Sequence, residues 1–192
     1  MAAASSTVHR LKVTLRRVRP PVWRRIEVRS TTNLYQLSAE LEAAMSWDGG
    51  HLHSFDVAGE IYQLPSEEYF GWRPINDERK ASVAKVLTRV RMKLRWDYDF
   101  GDGWEHDVVV EAIEPAAGEV LYPRCIAGRR AGPPDDCGGP WGYASLLDAL
   151  GDPAHPEHES MLEWAPEGFD PAHFDPKEAT EAMRTAKPWT LY

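Results

Sequence analysis

The 192-residue sequence lacks several features that would place it in a protein class at once. No apolar run approaches the roughly 20 residues that a membrane-spanning helix needs, and the first residues lack the apolar core of a secretory signal. We therefore expect a cytoplasmic protein that makes no membrane contact. The two cysteines are too few for the disulfide framework of a small secreted domain, so reduced thiols are expected.

Positive charge is scarce beyond the first 30 residues. Residues 1–30 carry eight Arg or Lys and one Glu, whereas the remainder carries 14 basic and 29 acidic residues, for a net charge of -8. An acidic body repels phosphate backbones, so only the N-terminal arginines favour an accessory DNA-binding role. The alternative is that they are solvated or paired with acidic residues. The arginines concerned include Arg16, Arg17, Arg24 and Arg25.

Two hydrophobic periodicities divide the chain, with strand-like alternation dominating the first part and helical spacing the last. Strand patterns lie around Leu11 to Leu15, at Val22 to Val28, His51 to Val57 and Glu60 to Leu64, and in a hairpin of residues 91–100 and 104–113 around a Gly-Asp-Gly turn. Helix patterns lie at Leu34 to Trp47, Ser82 to Val90, Tyr143 to Leu150, Glu157 to Trp164 and Pro176 to Thr185.

This order of elements predicts a single α+β domain. We expect a mainly antiparallel sheet with an N-terminal helix and with C-terminal helices packed on it. The domain would span residues 9–186, between a flexible N-terminal tail (1–8) and a C-terminal tail (187–192). Residues 65–80 show no clear hydrophobic periodicity, so we expect them to form an irregular segment outside the regular strands and helices.

Both cysteines lie in the segment from Tyr122 to Tyr143, which is dense in Gly and Pro. This composition argues against a helix or a central strand. Long loops inside compact domains are usually functional or disordered, and the Trp and Tyr content here argues against disorder. The sequence therefore predicts an ordered, pinned surface loop.

The loop and the neighbouring hairpin together have the composition of a binding surface. They offer guanidinium donors, carboxylate acceptors and the aromatic area that dominates protein interfaces. This favours a non-enzymatic module that binds a protein or peptide partner. The residues of the predicted surface are Asp99, Asp102, Trp104, His106, Arg129, Arg130, Asp135, Asp136, Trp141 and Tyr143.

The hairpin carboxylates also suggest a metal-dependent hydrolase or nuclease. Asp99, Asp102 and His106 could meet at the hairpin end and hold a divalent cation or perform acid-base work. The alternative is that Asp102 serves the turn while the other two face solvent or pair with arginine. The spacing is not that of an EF-hand, because its fifth position would be Gly101 and its twelfth Val108.

A second hypothesis concerns zinc or another divalent cation. Four residues make a nominal set of two thiols and two imidazoles: Cys125, Cys137, His155 and His158. Zinc sites usually pair cysteines two to four residues apart, whereas eleven residues intervene here. Buried thiols that support the loop are the alternative. His51 and His53 lie on the same side of a predicted strand and could supply ligands instead, or be structural.

Several motifs, taken in order, resemble a known family. They are RVRPPVWRRIEV, HLHSF, YDFGDGWEH, the loop YPRCIAGRRAGPPDDCGGPWGY, and DPAHPEHESMLEW followed by FDP. Together they resemble the plasmid pRiA4b ORF-3-like family from about Leu11 to Arg184. The resemblance implies an α+β fold of bacteria and archaea without an established activity. Many members carry a further cysteine just before the two prolines, where this chain has Gly132.

Sequences related to that family are labelled as the TnpR passenger protein of an insertion element, which implies an association with mobile elements. A serine recombinase needs an activated serine beside clustered arginines. Ser5 and Ser6 lie in a small-residue tail instead, and the sequence shows no recombinase motif and no helix-turn-helix with a basic recognition helix. The label therefore indicates genetic neighbourhood rather than resolvase activity.

Overall fold

A computed structural model of the protein describes residues 6–65 and 74–189. Both predicted tails and the predicted irregular segment at 65–80 lie partly outside these ranges. The first strand begins at Thr7, inside the range predicted for the N-terminal tail, and the Thr7 hydroxyl donates to the Ser30 hydroxyl (2.6 Å). No helix in the described ranges is long and apolar enough to cross a bilayer.

One sheet of eight strands forms the framework of the described residues. The strands are β1 (Thr7–Leu15), β2 (Trp23–Arg29), β3 (His53–Val57), β4 (Glu60–Gln63), β5 (Ile75–Asp77), β6 (Lys93–Tyr98), β7 (Trp104–Pro115) and β8 (Arg124–Arg129). Their spatial order is β5-β4-β3-β6-β7-β1-β2-β8. Neighbouring strands are antiparallel except β4 and β5, which are parallel.

Helices pack against this sheet, so the predicted α+β class is confirmed. They are α1 (Leu34–Met45), α2 (Val83–Val86), α3 (Gly139–Gly151), α4 (His158–Trp164) and α5 (Pro176–Thr185). The alternation in β1 buries Leu11, Val13 and Leu15, and apolar residues of α1 join them in the same core. Burial of these side chains supplies the main favourable free energy of folding.

Side-chain caps stabilise the starts of two helices. The side chain of Asn33 accepts the backbone N–H of Gln36 at the start of α1 (2.8 Å). The side chain of Asp175 accepts the N–H of Lys177 at the start of α5 (2.7 Å), with Pro176 in the first turn. Such caps satisfy backbone donors that have no partner within the helix.

The Gly/Pro-rich segment is more regular than a loop. Its first part, β8, is an edge strand that pairs with β2, and its last residues form the first turn of α3, with Pro140 near the helix start. An edge strand tolerates nearby proline and glycine because one of its sides carries no ladder hydrogen bonds. The irregular part therefore shrinks to residues 130–138.

Glu40 gives α1 a pH-dependent contribution to stability. It is buried, one carboxylate oxygen has no hydrogen-bond partner among the described residues, and burial raises its pKa from 4.5 to about 8. The unfolded chain loses this proton near pH 4.5, whereas the native state keeps it to about pH 8. The free energy of unfolding is therefore expected to fall as pH rises through this window.

We expect Glu40→Gln to remove most of that slope, because an amide does not ionise. At about pH 8 the variant should be more stable than the wild type by about 4 kcal/mol, and at about pH 4 the two should be similar. Urea unfolding across this range measures the difference, with the exposed Glu181→Gln in α5 as the control. An unchanged pH slope in Glu40→Gln would contradict the assignment.

Candidate functional site

The β6–β7 turn (residues 99–103) lies against the coil that precedes α3 (residues 130–138). Gly138 donates its backbone N–H to the Asp102 carboxylate (3.2 Å). Gly139 approaches the same turn so closely that a Cβ atom there would lie 2.2 Å from the Asp102 carbonyl oxygen. The hairpin and the Cys-bearing segment therefore share one surface.

A third segment, the turn after α1 (residues 46–52), completes this surface. The indole N–H of Trp47 donates to the Pro133 carbonyl (2.8 Å), which ties the turn to the coil. The backbone N–H of Asp99 donates to the Leu52 carbonyl (2.9 Å), which ties the turn to the hairpin. We call residues 46–52, 99–103 and 130–138 together the junction.

Trp47 anchors the junction to the core. Its ring stacks on Tyr98 with centroids 4.7 Å apart and an interplanar angle of 12°. It also lies 6.0 Å from the ring of Trp104 and 5.5 Å from that of His106. Aromatic pairs at these separations add to the free energy of area burial. Aromatic rings of the hairpin thus pack beneath Trp47 and connect the junction to the core.

Three residues of the predicted binding surface are part of this interior. Trp104, His106 and Tyr143 are fully buried, so they cannot contact a partner at the surface. Trp104 and His106 point inward because they alternate in phase with the buried Val108 on β7. Tyr143 was predicted to begin a helix, but α3 begins at Gly139, and Tyr143 is one of its buried residues.

His106 cannot serve as the acid-base group of a hydrolase at the surface. Its Nδ1 donates to the Trp96 carbonyl (3.2 Å), and no hydrogen-bond partner of Nε2 exists among the described residues. Burial lowers the pKa of this imidazole to about 3, which keeps it neutral. The predicted meeting of Asp99, Asp102 and His106 at the hairpin end therefore does not occur, since His106 faces the core.

The other predicted surface residues lie in the junction or directly beside it. Arg129 ends β8, Arg130 begins the coil, and Trp141 lies in the first turn of α3. The hairpin turn and the coil provide the acidic members of the group. The residues placed together are Asp99, Asp102, Arg129, Arg130, Asp135, Asp136 and Trp141.

The junction gathers three side chains that could hold a metal ion: the exposed Asp136, the partly buried His51 and the buried Asp99. One ligand atom each from His51, Asp99 and Asp136 lie within 4.8 Å of one another. His51 Nδ1 is 3.6 Å from Asp99 Oδ1. Among residues 6–65 and 74–189, no other three His, Cys, Asp or Glu side chains approach one another this closely.

Tyr98 lies next to this cluster with its hydroxyl buried. The residue is 1% exposed, and its hydroxyl has no hydrogen-bond partner among the described residues. Burial raises the pKa of this phenol, and the carboxylates of Glu42, Asp135, Asp99 and Asp48 raise it further. The hydroxyl therefore remains protonated and is surrounded by acceptors without being bonded to one.

The two histidines predicted on one strand face have different surroundings. His53 Nε2 lies 2.9 Å from the fully buried Glu78 carboxylate, and its Nδ1 lies 3.9 Å from that of Glu42. Ser38 donates its hydroxyl to Glu42 (2.7 Å). His53 thus links two buried carboxylates, whereas His51 reaches the junction surface.

The nominal zinc set of two cysteines and two histidines is not assembled. Cys125 is buried on β8, Cys137 lies in the junction, and the Nδ1 of His158 donates to the Ala149 carbonyl (2.8 Å). No three of Cys125, Cys137, His155 and His158 form a ligand cluster in the part of the chain that the structure describes. Burial raises the pKa of both thiols, to about 12 for Cys137.

Gly132 occupies the position where the resemblance implies a cysteine in many relatives. A Cβ atom at this position would lie 2.0 Å from the Met45 carbonyl oxygen at the end of α1. A side chain therefore does not fit unless the backbone shifts. The junction of this chain is built around the close approach that glycine permits.

Most N-terminal arginines are engaged by neighbouring acids. Arg16 and Arg17 both bond to Glu105, at 2.7 and 3.0 Å. Arg25 bonds to Glu111, and Arg24 is buried within the fold. These pairings favour the structural interpretation of the N-terminal charge over one in which a free basic face meets DNA.

Three features of this site had no counterpart in the sequence predictions. They are the buried Glu42, the exposed Leu52, and the Tyr98 hydroxyl, which has no hydrogen-bond partner among the described residues. Glu42 lies four residues after Ser38 on the buried face of α1, a spacing that signals a shared environment. His51 was considered only with His53, although its position after two glycines placed it in a turn.

Relatives of this chain are known from both sequence and structure. The model of the family described as plasmid pRiA4b ORF-3-like protein matches residues 7–178. The chain is 42% identical over 159 residues to the uncharacterized protein y4hQ of Sinorhizobium fredii, covering 83% of this chain and 81% of that protein. The crystal structure of MM3350, a protein of unknown function from Methanosarcina mazei, is similar with a TM-score of 0.81 and 34% identity, covering 90% of this chain and 97% of that one. The chain therefore belongs to the plasmid pRiA4b ORF-3-like protein family.

Proposed function

We propose that the junction binds a positively charged segment of a protein or peptide partner. The observation that carries this proposal is that each of three segments in contact with one another exposes a large apolar side chain: Leu52 is 50%, Phe100 54% and Trp141 83% exposed. Leu52 and Phe100 belong to the junction, and Trp141 follows it in the first turn of α3. Large apolar side chains exposed together are typical of interaction sites, where aromatic residues contribute most of the binding energy.

The charge of the junction supports a basic partner. Among the ion pairs that the described residues form, none joins Asp48, Asp102 or Asp136 to an arginine or lysine. These carboxylates are thus available to cations from outside, whereas Arg10, Arg16, Arg17 and Arg25 near the N-terminus are paired with acidic side chains. The indole of Trp141 offers a further site for a guanidinium or ammonium group by cation–π attraction.

Random peptides displayed on phage provide a test that needs no knowledge of the natural partner. Selection on the immobilised full chain should enrich sequences that combine Arg or Lys with an apolar residue. The same selection repeated on Asp48→Asn, Asp102→Asn protein should lose the basic preference, because electrostatic complementarity determines partner choice. Failure to enrich any sequence, or enrichment of acidic ones, would refute the proposal.

Trp141→Ala is expected to weaken binding of a selected peptide by at least about tenfold, since a central aromatic anchor is worth 1.4 kcal/mol or more. Fluorescence anisotropy of the labelled synthetic peptide measures the change. Trp164→Ala is the matched control, because Trp164 is an exposed tryptophan on α4 outside the junction. Equal losses in the two variants would show that binding depends on exposed tryptophan in general.

A further inference from the structure

We propose that His51, Asp99 and Asp136 bind a divalent transition-metal ion, for which zinc is the best match. The inference goes beyond peptide recognition, because it concerns a ligand set that exists without any partner. The three residues come from three segments of the junction, so the ion would also join the turn after α1, the hairpin and the coil to one another.

The geometry of the three residues is close to that of a bound ion. Zinc lies 2.0–2.2 Å from nitrogen and oxygen ligands, so two ligand atoms in a tetrahedral site are about 3.4 Å apart. His51 Nδ1 and Asp99 Oδ1 are 3.6 Å apart, too far for a good hydrogen bond and suitable for a shared ion. The Asp136 carboxylate lies within 4.8 Å of both and is exposed, so a side-chain rotation can bring it into place.

Tyr98 gives an independent indication of a ligand at this position. Its hydroxyl is buried and lacks a partner among the described residues, and its ring is in contact with the His51 ring of the cluster. A buried hydroxyl without a partner is costly, and a water molecule bound to the metal would satisfy it. The His51 ring packs edge-on against the Tyr98 ring at 5.7 Å, which also orients the imidazole.

The type and number of ligands identify the class of ion. An imidazole with two carboxylates suits zinc and its first-row neighbours, whereas magnesium favours an all-oxygen shell that retains several waters. Three protein ligands leave one tetrahedral position free for water, the arrangement of zinc sites that are open to a further ligand. We therefore expect zinc to bind more tightly than magnesium.

Isothermal titration of the chelator-treated full chain with zinc chloride alone tests the inference. We expect one ion per chain and at least about tenfold weaker binding in both His51→Gln and Asp136→Asn. Asparagine retains the size of Asp136 and tolerates its left-handed backbone (φ 56°), so this variant should fold. His173→Gln is the matched control, since His173 is an exposed imidazole paired with Glu178 outside the junction.

X-ray absorption at the zinc edge identifies the ligands of the bound ion. We expect a shell of nitrogen and oxygen without sulfur. Absence of stoichiometric uptake, unchanged affinity in both junction variants, or a sulfur ligand from Cys125 or Cys137 would overturn the inference. Displacement of zinc by an equal concentration of magnesium would overturn it as well. The titration contains no peptide, so its failure is distinguishable from failure of the proposed function.

Discussion

Gly139→Ala is expected to destabilise the protein by about 3 kcal/mol and to separate the hairpin from the coil. Gly139 has a left-handed backbone (φ 67°), and a Cβ there would lie 2.2 Å from the Asp102 carbonyl oxygen. The clash is between a Cβ atom, whose position the backbone determines, and a backbone carbonyl oxygen. No flexible side chain can therefore move to relieve it. Chemical denaturation followed by fluorescence measures the loss of stability.

Gly151→Ala provides the matched control for this prediction. Gly151 ends the same helix, and a Cβ there would contact nothing within 4 Å. Alanine has a higher helix propensity than glycine, so the free energy of unfolding of this variant should be unchanged or slightly higher than that of the wild type. If both substitutions changed the unfolding free energy equally, the close packing of α3 against the hairpin turn would be refuted.

Arg24→Ala is expected to cost about 3 kcal/mol, because it removes a buried guanidinium that satisfies several backbone carbonyls. Its Nε donates to the Ala44 carbonyl near the end of α1 (2.6 Å), and its Nη1 donates to the Arg129 carbonyl at the end of β8 (3.2 Å). The guanidinium also lies 4.1 Å from the centroid of the Phe174 ring. Thermal and urea unfolding measure the cost.

Arg25, the next residue on β2, is the matched control for Arg24→Ala. Its side chain is partly exposed and pairs with Glu111 on the outer face of the sheet. Surface ion pairs of this kind contribute at most about 1 kcal/mol, so Arg25→Ala should have a much smaller effect on stability. A larger loss in Arg25→Ala than in Arg24→Ala would contradict the burial of Arg24 as a structural cation.

The elements predicted with the least difficulty were those with a strong local pattern. The period-two alternation of Leu11, Val13 and Leu15 predicted β1, and helical spacing predicted α1 and α5 from Leu34 and Pro176 onward. Local chemistry decides these features, so a single sequence is sufficient to find them. The hairpin of β6 and β7 was predicted for the same reason.

The edge strand β8 could not be found by the same means. Its sequence has few large apolar residues, and it is a strand because β2 supplies hydrogen-bond partners and α5 covers it. The N–H of Cys125 donates to the Thr180 hydroxyl on α5 (2.9 Å), a contact between residues far apart in sequence. Tertiary context of this kind overrides local propensity.

The candidate site was partly predictable. The meeting of the hairpin with the Cys-bearing segment was anticipated from their unusual composition, and the burial of His106 was readable from its shared parity with Val108. The approach of His51 to Asp99 was not, because it depends on the path of the turn after α1. No periodicity or motif in a sequence encodes that path.

We propose that the junction is the binding surface of this protein. Nuclear magnetic resonance of the ¹⁵N-labelled chain, titrated with a peptide obtained by selection, tests this proposal most directly. We expect the largest amide shifts at residues 48–52, 99–103 and 135–142, with little change on β1 and β2. Shifts concentrated on β1, on β2 and on the turn between them, around Arg16, Arg17 and Arg25, would contradict it.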